Sequence, residues 1–333
     1  MNAKRWIALG IAGLLLIISV GFQVVANVAA TNFEGLLPSA NEDGIEEQVM
    51  EEGSGAEKIA VLNLEGVIQD TGDTSGFMSS GSYNHRQFLQ MLKRSGERSD
   101  IGGIILRVNT PGGGVVESAE IHDAIQTIKE ETEKPVYISM GNTAASGGYY
   151  VSTPADRIVA HPATITGSIG VIMESVNYAE LAEELGLEFN TIKSGEFKDI
   201  MSGSRDMTEE DEEILQSIVD EMYGDFVNVI AEGRDMSEEN VRDIGDGRVY
   251  TGTQAQEIDL VDDLGSIEDT IAFMKKDEDL GDAPVVQYNA SFSFNQFLGT
   301  SAKSLIVKDS ELLGLKELLM ESDSPRAMYL YRD

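Results

Sequence analysis

One serine in this sequence lies among small residues in a way that suits a nucleophile. Ser146 is part of the stretch GNTAASGGYY at residues 141–150, and a second glycine-rich turn, PGGG at residues 111–114, precedes it. A nucleophilic hydroxyl needs close approach by its substrate, a base, and backbone N–H groups that stabilise the developing oxyanion. Glycine and alanine allow that approach and leave the N–H groups accessible. The two segments therefore predict a serine nucleophile beside an oxyanion hole.

The base that would take the serine proton is not an obvious histidine. A Ser-His-Asp triad would have to use one of the three histidines, His85, His122 or His161. His122 falls beside Ile121 in the apolar stripe of a predicted helix, so we expect it on the flank of that helix. His85 lies in a polar stretch and His161 in a loop, and both are expected to be ordinary surface or loop residues.

Two lysines are alternative bases. A lysine can accept a proton when burial disfavours its ammonium form. Lys198 lies between Phe197 and Ile200, which are apolar neighbours able to desolvate it. Lys193 follows a strand predicted at residues 189–192 and is the second candidate. The residues alone leave the choice open, and either side chain is also compatible with a solvated surface lysine.

The order of several motifs resembles that of bacterial signal peptide peptidases of the SppA type, in their short, single-domain Gram-positive form. The motifs are, in chain order, PGGG, AASGGYY, TGSIGVI, SGEFKDIMSGSR and DGRVYTGTQAQEIDLVDDLG. The resemblance extends from the apolar N-terminal segment to the final MYLY. It implies a membrane-attached serine endopeptidase that cleaves remnant signal peptides, and other apolar peptides, without a cofactor.

The resemblance also implies roles for individual residues. Ser146 would be the nucleophile and Lys198 the general base of a Ser-Lys dyad that forms an acyl-enzyme. Ser168, in the TGS motif, would orient the lysine. The backbone N–H groups of Gly113 and Gly147 would form the oxyanion hole, although the residues alone do not show which glycine of the PGGG turn points its N–H inward.

The fold implied by the resemblance is an α/β superhelix of repeated ββα units, of the Clp/crotonase type. Apolar runs alternate with helical stripes after residue 58, which is typical of βαβ units. Strands are predicted at residues 59–64, 103–108, 136–139, 157–160 and 189–192, and helices at residues 86–94, 116–132, 178–185 and 208–232. Members of this fold form rings, so we expect a ring-shaped homo-oligomer. Whether the dyad lies within one chain or between neighbours stays open.

The N-terminal segment predicts a membrane anchor. Residues 6–30 carry no charge and follow Lys4 and Arg5. A helix of about 25 residues crosses a bilayer core of about 30 Å, and the preceding positive pair places the N-terminus inside. The alternative is a cleaved signal peptide. We expect a cytoplasmic N-terminus at 1–5, a transmembrane helix at 6–30, an acidic flexible linker at 31–57, an extracellular protease domain at 58–280 and a C-terminal extension at 281–333.

Composition excludes several classes of function. The formal net charge is −34, from 58 acidic and 24 basic residues, which argues against a nucleic-acid partner. The sequence has no cysteine, so disulfides and thiolate chemistry are excluded. Asp259, Asp262 and Asp263 lack histidine companions, and we expect no metal site there.

The last residues support two interpretations. Residues 323–333 end in an extended apolar run that no helical period explains. They could lie in a groove as a substrate-like strand that limits activity, or dock simply as a C-terminal strand. For the whole chain, the alternatives to a protease are a crotonase-like acyl-thioester enzyme and a non-catalytic membrane scaffold of the same fold.

Overall fold

The structure of the chain, a computed structural model, describes residues 15, 45–70, 83–290 and 327–331. The chain divides into two units, Met1–Glu46 with Asn289–Ser293, and Glu47–Tyr288 with Phe294–Asp333. Every site described below belongs to the second unit. Apart from Leu15, the anchor predicted at residues 6–30 lies outside the described residues. Within the described ranges, no helix combines the length and apolar character that a bilayer span requires.

The described secondary structure alternates strands and helices. The strands are β1 (Ile45–Glu51), β2 (Lys58–Glu65), β3 (Ile101–Thr110), β4 (Gly112–Gly114), β5 (Val136–Ala145), β6 (Arg157–Ala160), β7 (Ile165–Gly167), β8 (Val249–Thr251), β9 (Asp263–Leu264), β10 (Val285–Ala290) and β11 (Met328–Leu330). The helices are α1 (His85–Glu97), α2 (Val115–Thr132), α3 (Gly147–Tyr150), α4 (Ala179–Glu184), α5 (Glu209–Gly233), α6 (Glu238–Ile244), α7 (Gly252–Glu257) and α8 (Ile267–Asp277), with a 3₁₀ turn at Glu196–Asp199.

The main sheet is mixed. Its strands run in the order β1-β10-β2-β3-β5-β6-β9, with β7 attached to β5 and β8 attached to β7. The pairs from β10 through β9 are parallel, whereas β7 and β8 pair in antiparallel orientation. Parallel neighbours need a crossover, and α1 supplies it between β2 and β3 while α2 supplies it between β3 and β5.

The central strands form the core because they are apolar on both faces. In β2, Ile59, Leu62 and Leu64 are fully buried, and Ile104 and Leu106 of β3 are buried beside them. Near-continuous apolar runs of this kind are typical of parallel strands that are covered on both sides. The buried centre of the sheet therefore holds the residues at the strand ends in fixed positions.

The carboxyl ends of β3, β5 and β7 bring three motifs to one edge of the sheet. Thr110, the last residue of β3, is in register with Ala144 of β5. Ala145 of β5 is in turn paired with Gly167 of β7. The PGGG turn, Ser146 and the TGS motif directly follow or end these strands, so the sheet register places all three side by side.

Most predicted elements of the core are confirmed. The strands predicted at 59–64, 103–108, 136–139 and 157–160 lie within β2, β3, β5 and β6, and the four predicted helices correspond to α1, α2, α4 and α5. Helix α5 begins with a capping box, in which the Thr208 hydroxyl accepts from Asp211 N–H and the Asp211 carboxylate accepts from Thr208 N–H. Local signals were sufficient here because tertiary packing agrees with them.

Two predictions differ from the structure. Residues 189–192 are irregular, not a strand, because Phe189 and Ile192 are exposed and none of the described strands pairs with them. Within the predicted flexible linker at 31–57, Ile45–Glu51 forms β1, which pairs with β10 at the edge of the sheet. In both places the conformation depends on a pairing strand that is distant in sequence. Residues 45–51 have such a partner in β10, and residues 189–192 have none among the described strands.

Candidate active site

Ser146 stands at the strained junction between β5 and α3. Its backbone has φ 53° and ψ −117°, a conformation that a residue with a side chain rarely adopts and that costs about 1–3 kcal/mol. The Ser146 N–H donates to Gly167 O at 2.8 Å, and the Ser146 carbonyl accepts from the N–H groups of Tyr149 and Tyr150 at 2.9 Å. A sharp strand-to-helix turn of this kind presents the nucleophilic serine in α/β-hydrolases.

The N–H groups of the glycine turn point to two sides. Gly112 N–H donates to Thr110 Oγ1 at 3.0 Å, and Gly114 N–H donates to Ile68 O at 2.8 Å. Ile68 N–H donates to Gly112 O, also at 2.8 Å. These bonds fix the turn from one side, and Gly113 N–H points to the opposite side, where β11 pairs with the turn.

Gly147, the residue after Ser146, lies against this turn. A Cβ atom at position 147 would lie 3.2 Å from Gly113 N, and a Cβ at position 112 would lie 2.6 Å from Gly147 N. Gly112 also has φ 100°, which favours glycine. The absence of side chains therefore lets the two N–H groups predicted for the oxyanion hole approach each other beside Ser146.

The TGS motif lies next to the serine. Ser168 follows Gly167, whose carbonyl accepts from Ser146 N–H. The Ser168 backbone has φ 50°, and its N–H donates to Arg248 O at 2.8 Å. The structure thus brings Ser146, Gly113, Gly147 and Ser168 to one place.

Lys198 does not join this group within one chain. It lies in the 3₁₀ turn Glu196–Asp199 and is exposed, whereas Ser146 is 1% exposed. Among the described residues, no hydrogen bond connects the two side chains. The expectation that Phe197 and Ile200 desolvate Lys198 is wrong for the isolated chain, since their flanking positions leave the lysine open to solvent.

Lys193, the alternative base, has a structural partner. Its Nζ lies 2.8 Å from Asp199 Oδ1 and donates to Glu196 O at 2.7 Å. The hydrogen bond from Lys193, with a second from Arg205, lowers the pKa of Asp199. Both contacts of the Lys193 ammonium are therefore local, and among the described residues it makes no hydrogen bond to Ser146.

Residues 171–207, here called the lysine arm, contain Lys198 and expose many apolar side chains. Most of the large apolar side chains that are exposed in the described chain belong to it: Ile172, Val176, Tyr178, Leu181, Leu185, Leu187, Phe189, Ile192 and Met207. Monomeric proteins rarely expose so many neighbouring apolar residues, and such patches mark contact surfaces.

The histidines have other roles. The expectation of a surface position for His85 is wrong, because it is buried between Tyr83, whose hydroxyl lies 2.6 Å from Nδ1, and Glu120, whose Oε2 lies 2.6 Å from Nε2. His122 is buried with its ring 5.3 Å from that of Tyr150. His161 is exposed and accepts from a backbone N–H two residues later.

The aspartates near residue 260 have arginine partners. Asp262 pairs with Arg234 at 2.6 Å, and Asp263 pairs with Arg157 at 2.7 Å. Among the residues that the structure describes, no group of histidine and carboxylate side chains has an arrangement that could hold a metal ion.

The end of the chain lies along the glycine turn. Strand β11 pairs with β4 in antiparallel orientation, with Tyr329 opposite Gly113. The Tyr329 side chain is 1% exposed, and its ring lies 5.1 Å from that of Tyr150 and 4.6 Å from that of Phe226. Its hydroxyl donates to Met222 O at 3.0 Å. The tail is therefore a docked strand at the site.

Sequence reasoning missed the residues that hold the glycine turn in place. Thr110 is fully buried and both its oxygen and its methyl group contact the two glycine segments. Ile68 bonds to Gly112 and Gly114 from a segment more than forty residues earlier. The position of Thr110 immediately before PGGG was an available signal, whereas no local pattern indicates the contact of Ile68.

Comparison with known proteins agrees with this geometry. The family model described as "Peptidase family S49" matches residues 128–281, and the model described as "Clp protease" matches residues 82–169. The chain is 41% identical to a protein from Enterococcus faecium named "Putative signal peptide peptidase SppA", over 99% of each chain. It is 32% identical to Protease 4 of Salmonella typhi, over 64% of this chain and 34% of that protein.

The sequence similarity extends to a plant protein. The chain is 28% identical to the chloroplastic serine protease SPPA of Arabidopsis thaliana, over 72% of this chain and 36% of that protein. The predicted fold is confirmed in its general form, a Clp protease-like α/β fold with a mixed sheet. The end-to-end match to the Enterococcus faecium protein, together with the family model, shows that this chain belongs to peptidase family S49 and is a serine peptidase.

Proposed function

We propose that the chain is a membrane-anchored endopeptidase that cleaves remnant signal peptides and other apolar peptides with a Ser-Lys dyad. Ser146 is the nucleophile, and Lys198 is the general base. The observation that carries the proposal is the strained, buried Ser146 beside the N–H groups of Gly113 and Gly147. The substrate class follows from the name and the full-length similarity of the Enterococcus faecium relative.

Each proposed group has a defined task. Neutral Lys198 accepts the proton of the Ser146 hydroxyl as its oxygen bonds to the peptide carbonyl carbon. The N–H groups of Gly113 and Gly147 stabilise the resulting oxyanion. When the C–N bond breaks, the lysine returns the proton to the leaving amine. Water then attacks the acyl-enzyme, gives a proton to the lysine and releases the acid as Ser146 regains its hydrogen.

We infer that the base comes from a neighbouring copy. A dyad needs Lys198 next to Ser146, but in one chain the lysine is exposed on the lysine arm. The apolar side chains of the arm provide a driving force for docking, since burial of apolar surface stabilises association by about 25 cal/mol per Å². Docking on the next copy in a ring-shaped homo-oligomer would also remove water from around Lys198.

The membrane attachment is part of the same proposal. Residues 6–30 are long and apolar enough to anchor the chain, with the catalytic domain on the extracellular side of the cell membrane. A tether of this kind raises the local concentration of peptides that are left in the bilayer. We also propose that the fold behind this anchor is a superhelix of repeated ββα units.

Subunit complementation tests the dyad and its location. The full chain is purified in detergent as Ser146→Ala, as Lys198→Ala, and as a co-expressed mixture of both, with Lys93→Ala as a control for loss of an exposed lysine. Hydrolysis of an apolar fluorogenic peptide should be lost in each single variant and kept in the control. The mixture should regain about a quarter of the wild-type rate, because random neighbours pair the two intact residues at that frequency.

The alternative outcomes separate the possibilities. No recovery in the mixture, with both single variants inactive, would place the dyad within one chain. Full activity in Lys198→Ala would assign the base to another residue. Full activity in Ser146→Ala would overturn the proposed site.

A further inference from the structure

Ser118 has a buried hydroxyl that the resting structure leaves without a partner. The residue lies in the first turn of α2, directly after the glycine turn, and is 0% exposed. Within the described residues, its Oγ makes no hydrogen bond. Two other buried serines do make one: Ser95 Oγ donates to Met91 O at 2.6 Å, and Ser152 Oγ donates to Gly148 O at 2.7 Å. A buried, unpaired hydroxyl costs free energy and requires a physical reason.

The position of this hydroxyl suggests the reason. The Cβ that Gly147 lacks would lie 2.6 Å from Ser118 Oγ and 3.2 Å from Gly113 N. By covalent geometry, the Gly147 nitrogen is about 2.5 Å from the same point. Three hydrogen-bond donors, Ser118 Oγ, Gly113 N and Gly147 N, therefore lie close together beside Ser146. Ser118 Oγ and Gly113 N are separated by no more than twice an ordinary hydrogen-bond length, so one oxygen atom between them can accept from both.

We propose that the Ser118 hydroxyl is a third donor of the oxyanion hole, in addition to the N–H groups of Gly113 and Gly147. The inference rests on the proposed role of Ser146 as nucleophile. In the resting chain the hydroxyl is unpaired. It pairs with the substrate carbonyl oxygen when that oxygen enters the space, and the bond strengthens as the oxygen becomes negative. A bond of this kind stabilises the transition state more than the ground state, so it affects kcat more than KM.

Two buried serines provide a matched comparison. Ser118→Ala and Ser95→Ala each remove one buried hydroxyl from the full chain, which is purified in detergent and assayed with an apolar fluorogenic peptide. Ser118→Ala should lower kcat by at least about tenfold with KM nearly unchanged, as loss of an oxyanion donor does. Its thermal unfolding midpoint should stay the same or rise, because the hydroxyl had no partner to lose. Ser95→Ala should do the opposite, with a lower midpoint and an unchanged kcat.

A second measurement reports on the same oxygen position. A peptide phosphonate that labels Ser146 places a phosphonyl oxygen in the hole, so its labelling rate should fall in Ser118→Ala by about the same factor as kcat/KM. Ser118→Cys, which keeps the shape and a weaker donor, should give an intermediate kcat.

The outcomes distinguish this inference from the proposed function. An unchanged kcat in Ser118→Ala would overturn the role of Ser118 as a third donor. The same conclusion would follow if Ser118→Ala and Ser118→Cys lost kcat equally and the loss came with a lower unfolding midpoint. Ser146→Ala is measured in parallel. If that variant keeps wild-type activity, the proposed site itself is overturned. If Ser146→Ala is inactive while Ser118→Ala is fully active, the proposed function stands and only the role of Ser118 is overturned.

Discussion

Tyr329 lies opposite Gly113 in an antiparallel ladder, so the last strand of the chain follows the glycine turn that borders Ser146. Met328 bonds on the other side to Ile172, through two hydrogen bonds of 3.0 Å between their backbones. A strand held between two backbone segments is the arrangement in which extended peptides bind by strand addition. The tail thus has the form of a tethered peptide at the proposed site.

Removal of the tail should increase activity. We expect deletion of residues 328–333 to raise kcat/KM for a short apolar peptide at least a few-fold, because a tethered strand competes at high effective concentration. Tyr329→Ala should have a similar effect, since it loses the ring contacts to Tyr150 and Phe226, worth about 0.5–1.5 kcal/mol per pair beyond burial. A chain that lacks only residues 332–333 retains β11 and is the control. Unchanged activity and assembly after the longer deletion would leave β11 as a docked strand without inhibitory effect.

Charge on the lysine arm should prevent assembly without unfolding the chain. Leu187 and Ile192 are exposed in one chain, so replacement of either by aspartate removes no internal packing. We expect Ile192→Asp to leave the thermal unfolding of the separated chain intact, to shift its mass by light scattering to that of a monomer, and to abolish peptide hydrolysis. Val49→Asp, an exposed apolar position outside the arm, is the control. An Ile192→Asp chain that remains assembled and active would contradict the proposed interface.

Gly147 should tolerate no side chain. In Gly147→Ala the new Cβ would lie 2.6 Å from Ser118 Oγ and 3.2 Å from Gly113 N, which fills the space between the proposed donors. We expect kcat to fall by about a hundredfold or more, as when an oxyanion donor is lost. Gly224→Ala is the matched control, because no atom lies within 4 Å of a Cβ there and the residue is inside α5. That change should keep activity and stabilise the chain by about 0.5–1 kcal/mol.

The start of α5 should weaken in acid. The Asp211 side chain is 1% exposed and pairs with Arg205 at 2.6 Å, and this bond holds the pKa of Asp211 well below its ordinary value of 3.8. A depressed pKa in the folded state adds stability above that ordinary value, and the contribution is lost as the pH falls through the lower, folded-state pKa. Asp211→Asn should therefore lower the melting temperature at pH 7, and the difference from wild type should shrink below about pH 4. A constant difference between pH 7 and pH 3 would show that the pair does not set this dependence.

The small-residue environment of Ser146 could be inferred from sequence because it depends on local composition. Small residues on both sides of Ser146 and in the PGGG turn are the requirement for close backbone contact, and that requirement is visible without a structure. The capping box of Thr208 and Asp211 is local in the same way. Both features involve residues only a few positions apart.

The environment of the lysines could not be inferred in this way. The run at residues 189–192 has the composition of a buried strand, but in one chain its apolar side chains face solvent. A sequence pattern indicates that a segment needs a partner and does not show whether that partner belongs to the same molecule. The burial of His85 depends on Glu120, which is 35 residues away in sequence, and it was missed for the same reason.

The position of β1 has a consequence for biosynthesis. Among the described strands, β1 joins the main sheet through β10, although it is the first strand to be made and β10 ends at Ala290. While the ribosome adds the intervening residues, at about 5–20 per second, β1 has no partner and the edge of β2 stays open. The sheet can be completed only when nearly the whole chain has been translated, so nascent chains truncated before β10 should remain accessible to proteases and chaperones.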